Sequence, residues 1–316
     1  MALSARRCGA ALALWASLLA PALAHQPTQP TYRFVAPPRE SVAKGKATYA
    51  PIARFLTKTT GAHFVYVHPD SWLTYERWIW ANRGDLYFDG PHFAAWRMHK
   101  QGATLGPVLP QPQDWRMFTW HNNAAIGKFA DTYGKKFCAP PAPNFGALWA
   151  GAQYTNPARQ PLWVDTHNWV RIYHRVLSHR CELGVAPKTT LDKLDPDRTH
   201  VSIVLKGPHF PNQAFTLSKA VPAKLRRRVI KALLSPAGQT AMNALRTRYT
   251  NGRTLVAGEP KRYAHVDESL AKHWGPIYRR VIAKMRREHK TEQTATSNAG
   301  AQPTANARLQ GAVSVE

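Results

Sequence analysis

The chain has 316 residues, of which 44% are hydrophobic and 10% aromatic, a composition that excludes a disordered or low-complexity protein. Its 43 lysine and arginine residues outnumber 18 aspartate and glutamate residues, which gives a formal net charge of +25. Such a field attracts polyanions, anionic surfaces and small anions. The sequence contains no zinc finger, helix-turn-helix or ribonucleoprotein motif, which argues against a nucleic-acid partner.

The first 24 residues have the pattern of an export signal. Arg6 and Arg7 precede an apolar run from Ala10 to Leu23, and Ala22-Leu23-Ala24 is a small-x-small cleavage site. The run is too short for a spanning helix, which needs about 20 apolar residues. An uncleaved membrane anchor is the alternative. We expect removal of residues 1–24 and a periplasmic protein.

Strand and helix patterns alternate after this segment. We predict strands at 32–36, 64–67 and 85–88 and helices at 47–59 and 71–80. Gly61 follows the first helix as its C-cap, and Ser71 caps the second. This order is typical of right-handed crossovers in a parallel sheet.

A second group of elements begins near Met117. Residues 118–120 are expected to be a strand leaving the first lobe, and Gly207-Pro208 to be a return crossing. We predict further strands at 135–139, 184–186, 201–205 and 214–217, and helices at 166–179, 222–234, from about 238, and at 277–287. Residues 291–316 have almost no large apolar side chain, which predicts disorder.

Two cysteines, Cys138 and Cys181, remain once Cys8 is removed with the signal. An even pair in an oxidising compartment predicts one disulfide, with two buried free thiols as the alternative. The spacing excludes a Cys-x-x-Cys redox site.

Four blocks of residues resemble the phosphate-, phosphite- and phosphonate-binding branch of the periplasmic substrate-binding proteins. They are Tyr49–Leu56 with Thr60-Gly61, then Tyr75 with Gly84-Asp85-Leu86 and Gly90-Pro91, then Gly134–Cys138, and finally Phe210-Pro211-Asn212. The order and spacing of these short blocks are more specific than any one of them.

The resemblance implies an α/β fold with two Rossmann-like lobes joined by two hinge crossings, the type II periplasmic binding protein fold. Lobe 1 would comprise residues 25–118 and 207–290, and lobe 2 residues 119–206. The resemblance also implies a receptor that closes on a small ligand and delivers it to an inner-membrane ABC permease. We expect a monomer with no cofactor, no bound metal and no catalytic activity.

Ligands of open α/β lobes bind beyond the carboxyl ends of the strands. This rule and the family pattern select Arg39, Tyr75, His92, His121, Asn144, His167 and Gln213 as candidate ligand-binding residues. Tyr75 and His167 match pocket positions of the resembled family, and a histidine there could donate to an oxyanion. Arg39, in a positive overall field, predicts a small anion or a polar molecule with an anionic end.

The sequence departs from the family where phosphonates are held. The matching loop, Ala139–Gly146, has no hydroxyl side chain, and its three prolines remove backbone donors. His92 stands where the family has a tyrosine after Gly-Pro. The sequence therefore predicts weak phosphonate binding on a retained scaffold.

Other classes of function remain open. No motif for a nucleophile, a metallohydrolase, a phosphate loop or a dinucleotide site occurs, which argues against an enzyme. A metal-binding protein is one alternative, since cleavage after Ala24 would make His25 an N-terminal copper chelator. A sensory or accessory module on the same scaffold is another.

Overall fold

The computed structural model describes residues 30–275 and residue 287. The predicted signal segment, His25, the tail at 291–316 and nearly all of the helix predicted at 277–287 lie outside the described residues. No helix in the described part is both long and apolar enough to cross a membrane.

Two five-stranded sheets form the framework of the described residues. The first sheet has the order β2-β1-β3-β10-β4, with β1, β2 and β3 parallel and β10 antiparallel to both of its neighbours. Its strands are β1 (Thr31–Val35), β2 (His63–Val67), β3 (Leu86–Asp89), β4 (Thr104–Val108) and β10 (Ala214–Leu217).

The second sheet has the order β7-β6-β8-β5-β9, with β6, β7 and β8 parallel and β5 antiparallel to β8 and β9. Its strands are β5 (Gln113–Trp120), β6 (Lys136–Ala139), β7 (Leu162–Asp165), β8 (Leu183–Pro187) and β9 (Val201–Phe210). Helices flank both sheets, so the expected α/β type II binding-protein fold is confirmed.

Nine α-helices occur before residue 251 in the described part. They are α1 (Val42–Thr60), α2 (Trp72–Trp80), α3 (Pro91–Gln101), α4 (Phe145–Ala152), α5 (Trp169–Leu177), α6 (Lys188–Leu194), α7 (Ala223–Leu234), α8 (Pro236–Ala241) and α9 (Asn243–Thr250). Residues 268–275 are also helical.

Local sequence determines the helix α1. The Ser41 hydroxyl accepts a hydrogen bond from the backbone of Lys44, and Gly61 ends the helix at a φ of 70°. Tyr49, Ile52 and Leu56 repeat at helical spacing and are fully buried against the first sheet. The predicted caps at Gly61 and Ser71 are both confirmed.

The chain changes sheet at residues 109–112 and again at 211–213. Residues 118–120 therefore end a strand of the second sheet and do not leave the first lobe, contrary to the sequence-based expectation. Gly207-Pro208 lies within β9, not in a crossing. The predicted lobe limits at 118 and 206 fall within β5 and β9.

Proline is tolerated in β9 because this strand is the edge of its sheet, where a missing N–H breaks no inner ladder. The β5–β9 register shifts between Asp114 and Arg116, opposite residues 206–209. Such an irregularity accommodates Pro208.

The predicted disulfide is confirmed. Cys138 at β6 and Cys181 before β8 are bonded, with Cα atoms 5.8 Å apart, and both residues are fully buried. The bond joins two adjacent elements of the second sheet.

Candidate ligand-binding site

A pocket of about 520 Å³ lies between the two sheets. The first sheet contributes the loop after β1 and the start of α3, and the second contributes the loop after β6, the start of β5 and the end of β8. Its lining residues are Pro38, Arg39, Trp72, Gly90, Pro91, His92, Phe93, Gln113, Trp115, Pro140, Pro141, Pro143, Asn144, Phe145, His167, Trp169, Pro187, Gln213, Arg248 and Tyr249.

Five of the seven predicted site residues line this pocket: Arg39, His92, Asn144, His167 and Gln213. They were selected by the rule that ligands bind beyond the carboxyl ends of the strands, here called the strand-end rule, and they come from segments next to both sheets. Their contact with a ligand remains a prediction.

Tyr75 and His121 lie elsewhere. Tyr75 is fully buried behind the pocket, and its hydroxyl donates to Asp89 Oδ2 at 2.8 Å. His121 follows β5, whose other end, at Gln113, lines the pocket. Because β5 is antiparallel to β8, its carboxyl end points away from the pocket. The structure therefore places His121 at the end of β5 that is distant from this pocket.

Arg39 supplies unpaired positive charge to the pocket. Its Nη1 atom is buried and has no hydrogen-bond partner among the described residues. Burial lowers the pKa of Arg39, but the potential of neighbouring tyrosines, led by Tyr249, and of Glu40 outweighs it, so the pKa is raised. The guanidinium is therefore charged at every physiological pH.

Arg248, the other lining arginine, is already paired. Its Nη2 atom lies 3.0 Å from Oε2 of Glu40, whose side chain is only 2% exposed. This ion pair neutralises Arg248 locally, so Arg39 is the better anchor for an incoming anion.

His92 is a neutral hydrogen-bonding group. Its Nε2 atom lies 3.0 Å from the carbonyl oxygen of Pro143, which can only accept, so Nε2 carries the proton. Burial lowers the pKa of His92 to about 3, and the Arg39 charge also lowers it. Its Nδ1 is consequently a bare acceptor, and this atom has no partner in the described part of the chain.

Gly90 makes room for this imidazole. A Cβ atom at position 90 would lie 2.6 Å from His92 Cε1 and 2.9 Å from Nδ1. The φ of Gly90 is −63°, which any residue adopts. Space, and not backbone conformation, requires glycine here.

Asp89 lies beneath the pocket floor. It is fully buried at the end of β3, and burial raises its pKa to about 6 against the opposing effects of Arg97, the Tyr75 hydroxyl and Arg39. Asp89 and Tyr75 thus form a buried hydrogen-bonded pair within the electrostatic reach of Arg39, and neither residue lines the pocket.

The loop after β6 confirms the loss of hydroxyl donors. It contributes Pro140, Pro141 and Pro143, and Asn144 caps α4 by accepting from the Gly146 backbone at 2.9 Å. No serine or threonine occurs among the described residues that line the pocket. A phosphonate-type cradle of hydroxyls is therefore missing from this lining.

Several further lining atoms have unused hydrogen-bonding capacity. The Oε1 atoms of Gln113 and Gln213 and the indole Nε1 of Trp115 are buried without partners in the described residues. The unpaired donors of the lining are Arg39 Nη1 and Trp115 Nε1. The unpaired acceptors are His92 Nδ1 and the two glutamine oxygens. Buried polar groups are costly when unpaired, which favours a ligand that pairs them.

Aromatic side chains form much of the pocket wall, and the sequence analysis missed most of them. Phe145 stacks on His92, while Trp115 packs against both Phe145 and Trp169. No motif marks such residues, and only the antiparallel direction of β5, which turns its first residues toward the cleft, would have indicated Trp115.

A second cavity of about 560 Å³ adjoins this pocket and shares Pro140 and Pro141 with it. Small and apolar side chains dominate its wall, and it contains neither Arg39 nor His92. The described residues contain no group of three or more histidine, cysteine, aspartate or glutamate side chains arranged to hold a metal ion.

The profile of the phosphonate-binding periplasmic substrate-binding proteins of ABC transporters matches residues 34–257. The chain belongs to this family. The family consists of transport binding proteins, not enzymes, and it places the protein in the periplasm. No curated protein sequence matches the chain.

Solved structures share the fold at low sequence identity. XAC2383 from Xanthomonas citri, bound to ATP, has a TM-score of 0.61 at 9% identity, covering 81% of this chain and 98% of its own. PhnD1 from Prochlorococcus marinus, in complex with methylphosphonate, has a TM-score of 0.56 at 10% identity, covering 76% and 96%. A binding protein component of an ABC phosphonate transporter from Pseudomonas aeruginosa scores 0.51 at 9% identity, covering 85% and 99%.

Proposed function

We propose that this periplasmic binding protein holds a small organic ligand with one anionic end and several hydrogen-bond donors. The observation that carries the proposal is the buried Nη1 atom of Arg39, which has no hydrogen-bond partner among the described residues, while Arg248 is paired with Glu40. One free guanidinium suits a singly charged group such as a carboxylate, to which arginine binds through two parallel hydrogen bonds.

The unpaired acceptors of the lining define the rest of the ligand. His92 Nδ1 and the side-chain oxygens of Gln113 and Gln213 would accept from hydroxyl, amide or ammonium groups. The walls formed by Trp115, Phe145 and their neighbours favour an apolar or planar body.

A phosphonate or polyphosphate dianion fits this lining less well. Burial of such a group needs several charge-assisted hydrogen bonds, and the loop at residues 140–143 offers prolines and alanine in place of hydroxyl donors. Phosphonates and ATP, the ligands of two structural relatives, therefore belong in the test as competitors.

The experiment is a thermal-shift screen of carboxylates, sulfonates, phosphonates, phosphate and ATP, followed by calorimetry on each compound that raises the melting temperature. The variant is Arg39→Gln. The control is Arg171→Gln, which changes an exposed arginine of α5. We expect a carboxylate to bind and Arg39→Gln to weaken it by about tenfold or more, a loss of at least one charge-assisted hydrogen bond. Equal affinity in both variants would overturn the assignment of Arg39.

A further inference from the structure

One helical layer of the molecule carries only positive charge. The helices α1, α7, α8 and α9 pack together over one side of the first sheet and share one hydrophobic core. They contain eleven lysine and arginine residues and no aspartate or glutamate.

Eight of these cations are exposed, and none forms an ion pair among the described residues. The eight are Lys44, Lys46, Arg54, Lys58, Lys224, Arg227, Arg228 and Lys231. The other three are occupied: Arg226 and Arg246 bond to backbone carbonyls, and Arg248 binds Glu40. The layer is therefore an uncompensated basic face, called here the basic helical face.

Two cations beside the second sheet are paired with one acidic residue. Lys188 lies 2.7 Å from Asp192 on α6, and Arg198 contacts the same carboxylate. The chain thus has acidic residues for local pairing, and their absence from the four helices marks the basic helical face as distinct.

The helix α7 has further features of a surface that meets lipid. Ile230 and Leu234 are partly exposed between Arg227 and Lys231, and these residues with Ser235 line a shallow groove. Apolar side chains beside cations on one helix face are typical of helices that lie at a bilayer interface. An acidic protein surface would match the charges but would not need the groove.

The helix α7, which carries four of the eight exposed cations, begins away from the ligand pocket, whereas Arg248 and Tyr249 of α9 line it. Leu217, at the end of β10, pairs with Leu86 at the start of β3, whereas the pocket lies beyond Asp89 at the opposite end of β3. The helix α7 begins just after β10, so its first turns lie near the sheet end that is distant from the pocket.

We propose that the basic helical face binds the anionic phospholipid surface of the membrane. Lipid phosphates would pair with the exposed lysine and arginine side chains, and α7 would seat Ile230 and Leu234 among the head groups. The contact would hold the receptor near the membrane.

The test is co-sedimentation of protein purified from the periplasm with vesicles of phosphatidylcholine, alone or with phosphatidylglycerol. The variant replaces Lys224, Arg227, Arg228 and Lys231 by glutamine. The control makes the same four-charge change on the second sheet, at Lys136, Arg171, Arg180 and Lys193, which are also exposed. Circular dichroism and the melting temperature establish that all three proteins are folded.

We expect binding to vesicles with phosphatidylglycerol, loss of binding in high salt, and no binding to phosphatidylcholine alone. Each cation at a charged bilayer contributes about fivefold in affinity, so the α7 variant should bind at least tenfold more weakly than the control. Equal loss in both variants would show a general charge effect and overturn the proposal. Absence of vesicle binding by the unaltered protein would also overturn the proposal. This holds even if the protein binds an acidic protein or a nucleic acid.

Discussion

The ring of His92 stacks on the ring of Phe145, with centroids 5.0 Å apart and planes inclined by 7°. His92 begins α3 beside the first sheet, and Phe145 begins α4 beside the second. The same imidazole donates to the Pro143 carbonyl. One buried side chain thus joins the two halves of the pocket through a stack and a hydrogen bond.

Gly90→Ala should disturb this junction. The new methyl group would lie 2.6 Å from His92 Cε1 and force the imidazole away from Pro143. We expect a loss of about 1 to 3 kcal/mol in the free energy of unfolding, the usual cost of overpacking. Denaturant titration measures this loss.

The matched control for this substitution is Gly151→Ala. A Cβ atom at Gly151 would lie 3.8 Å from Trp163, an ordinary contact, and the position is helical. This variant should be neutral or slightly more stable. A Gly90→Ala protein as stable as its Gly151→Ala counterpart would show that the imidazole has room to move.

Acid should weaken the contribution of His92 to stability. Its folded-state pKa, about 3, lies below the ordinary value of 6.5, so the unfolded chain binds a proton first as pH falls. Relative to His92→Phe, the unaltered protein should lose about 3 kcal/mol between pH 6.5 and pH 4. Denaturant titrations across this range test the sign, and a constant difference between the two proteins would contradict it.

Asp89 should show the opposite dependence on pH. Burial raises its folded-state pKa to about 6, so its stabilising contribution is fully present below pH 4 and is lost as pH rises through 6. The advantage of Asp89→Asn over the unaltered protein should therefore grow by about 2 kcal/mol from pH 4 to pH 8. The same titrations supply this measurement. A difference that shrinks with rising pH would show that the pKa of Asp89 is not raised in the folded protein.

The elements up to Asp89 were predicted well because apolar periodicity and capping residues are signals contained in short stretches of sequence. Buried strands and capped helices up to Asp89 follow from apolar periodicity and from Ser41, Ser71 and Gly61. The strand β4 was missed because Gly106 and Pro107 interrupt its pattern. The strand β9 was predicted only as far as Leu205, because Gly207-Pro208 was interpreted as a crossing.

The candidate site was predictable where parallel strands end and unpredictable where a strand is antiparallel. The strand-end rule selected Arg39, His92 and Gln213 correctly as lining residues. It failed for His121 because strand direction depends on pairing between distant segments, which no local pattern contains. Tyr75 was selected by its match to a family tyrosine, and the structure places it in the core, bonded to Asp89, because a motif match does not distinguish a pocket-facing side chain from a buried one.

The most direct measurement of the central claim is calorimetric titration of the purified protein with 2-aminoethylphosphonate. Loss of three charge-assisted hydrogen bonds from the hydroxyl-free loop would cost about 4 kcal/mol or more, near a thousandfold in affinity. A thousandfold loss would bring a tight binder into the range of weak binding. We therefore predict a dissociation constant above roughly 100 μM. A submicromolar constant would contradict it, because the phosphonate would then be held by donors other than the hydroxyls that this pocket lacks.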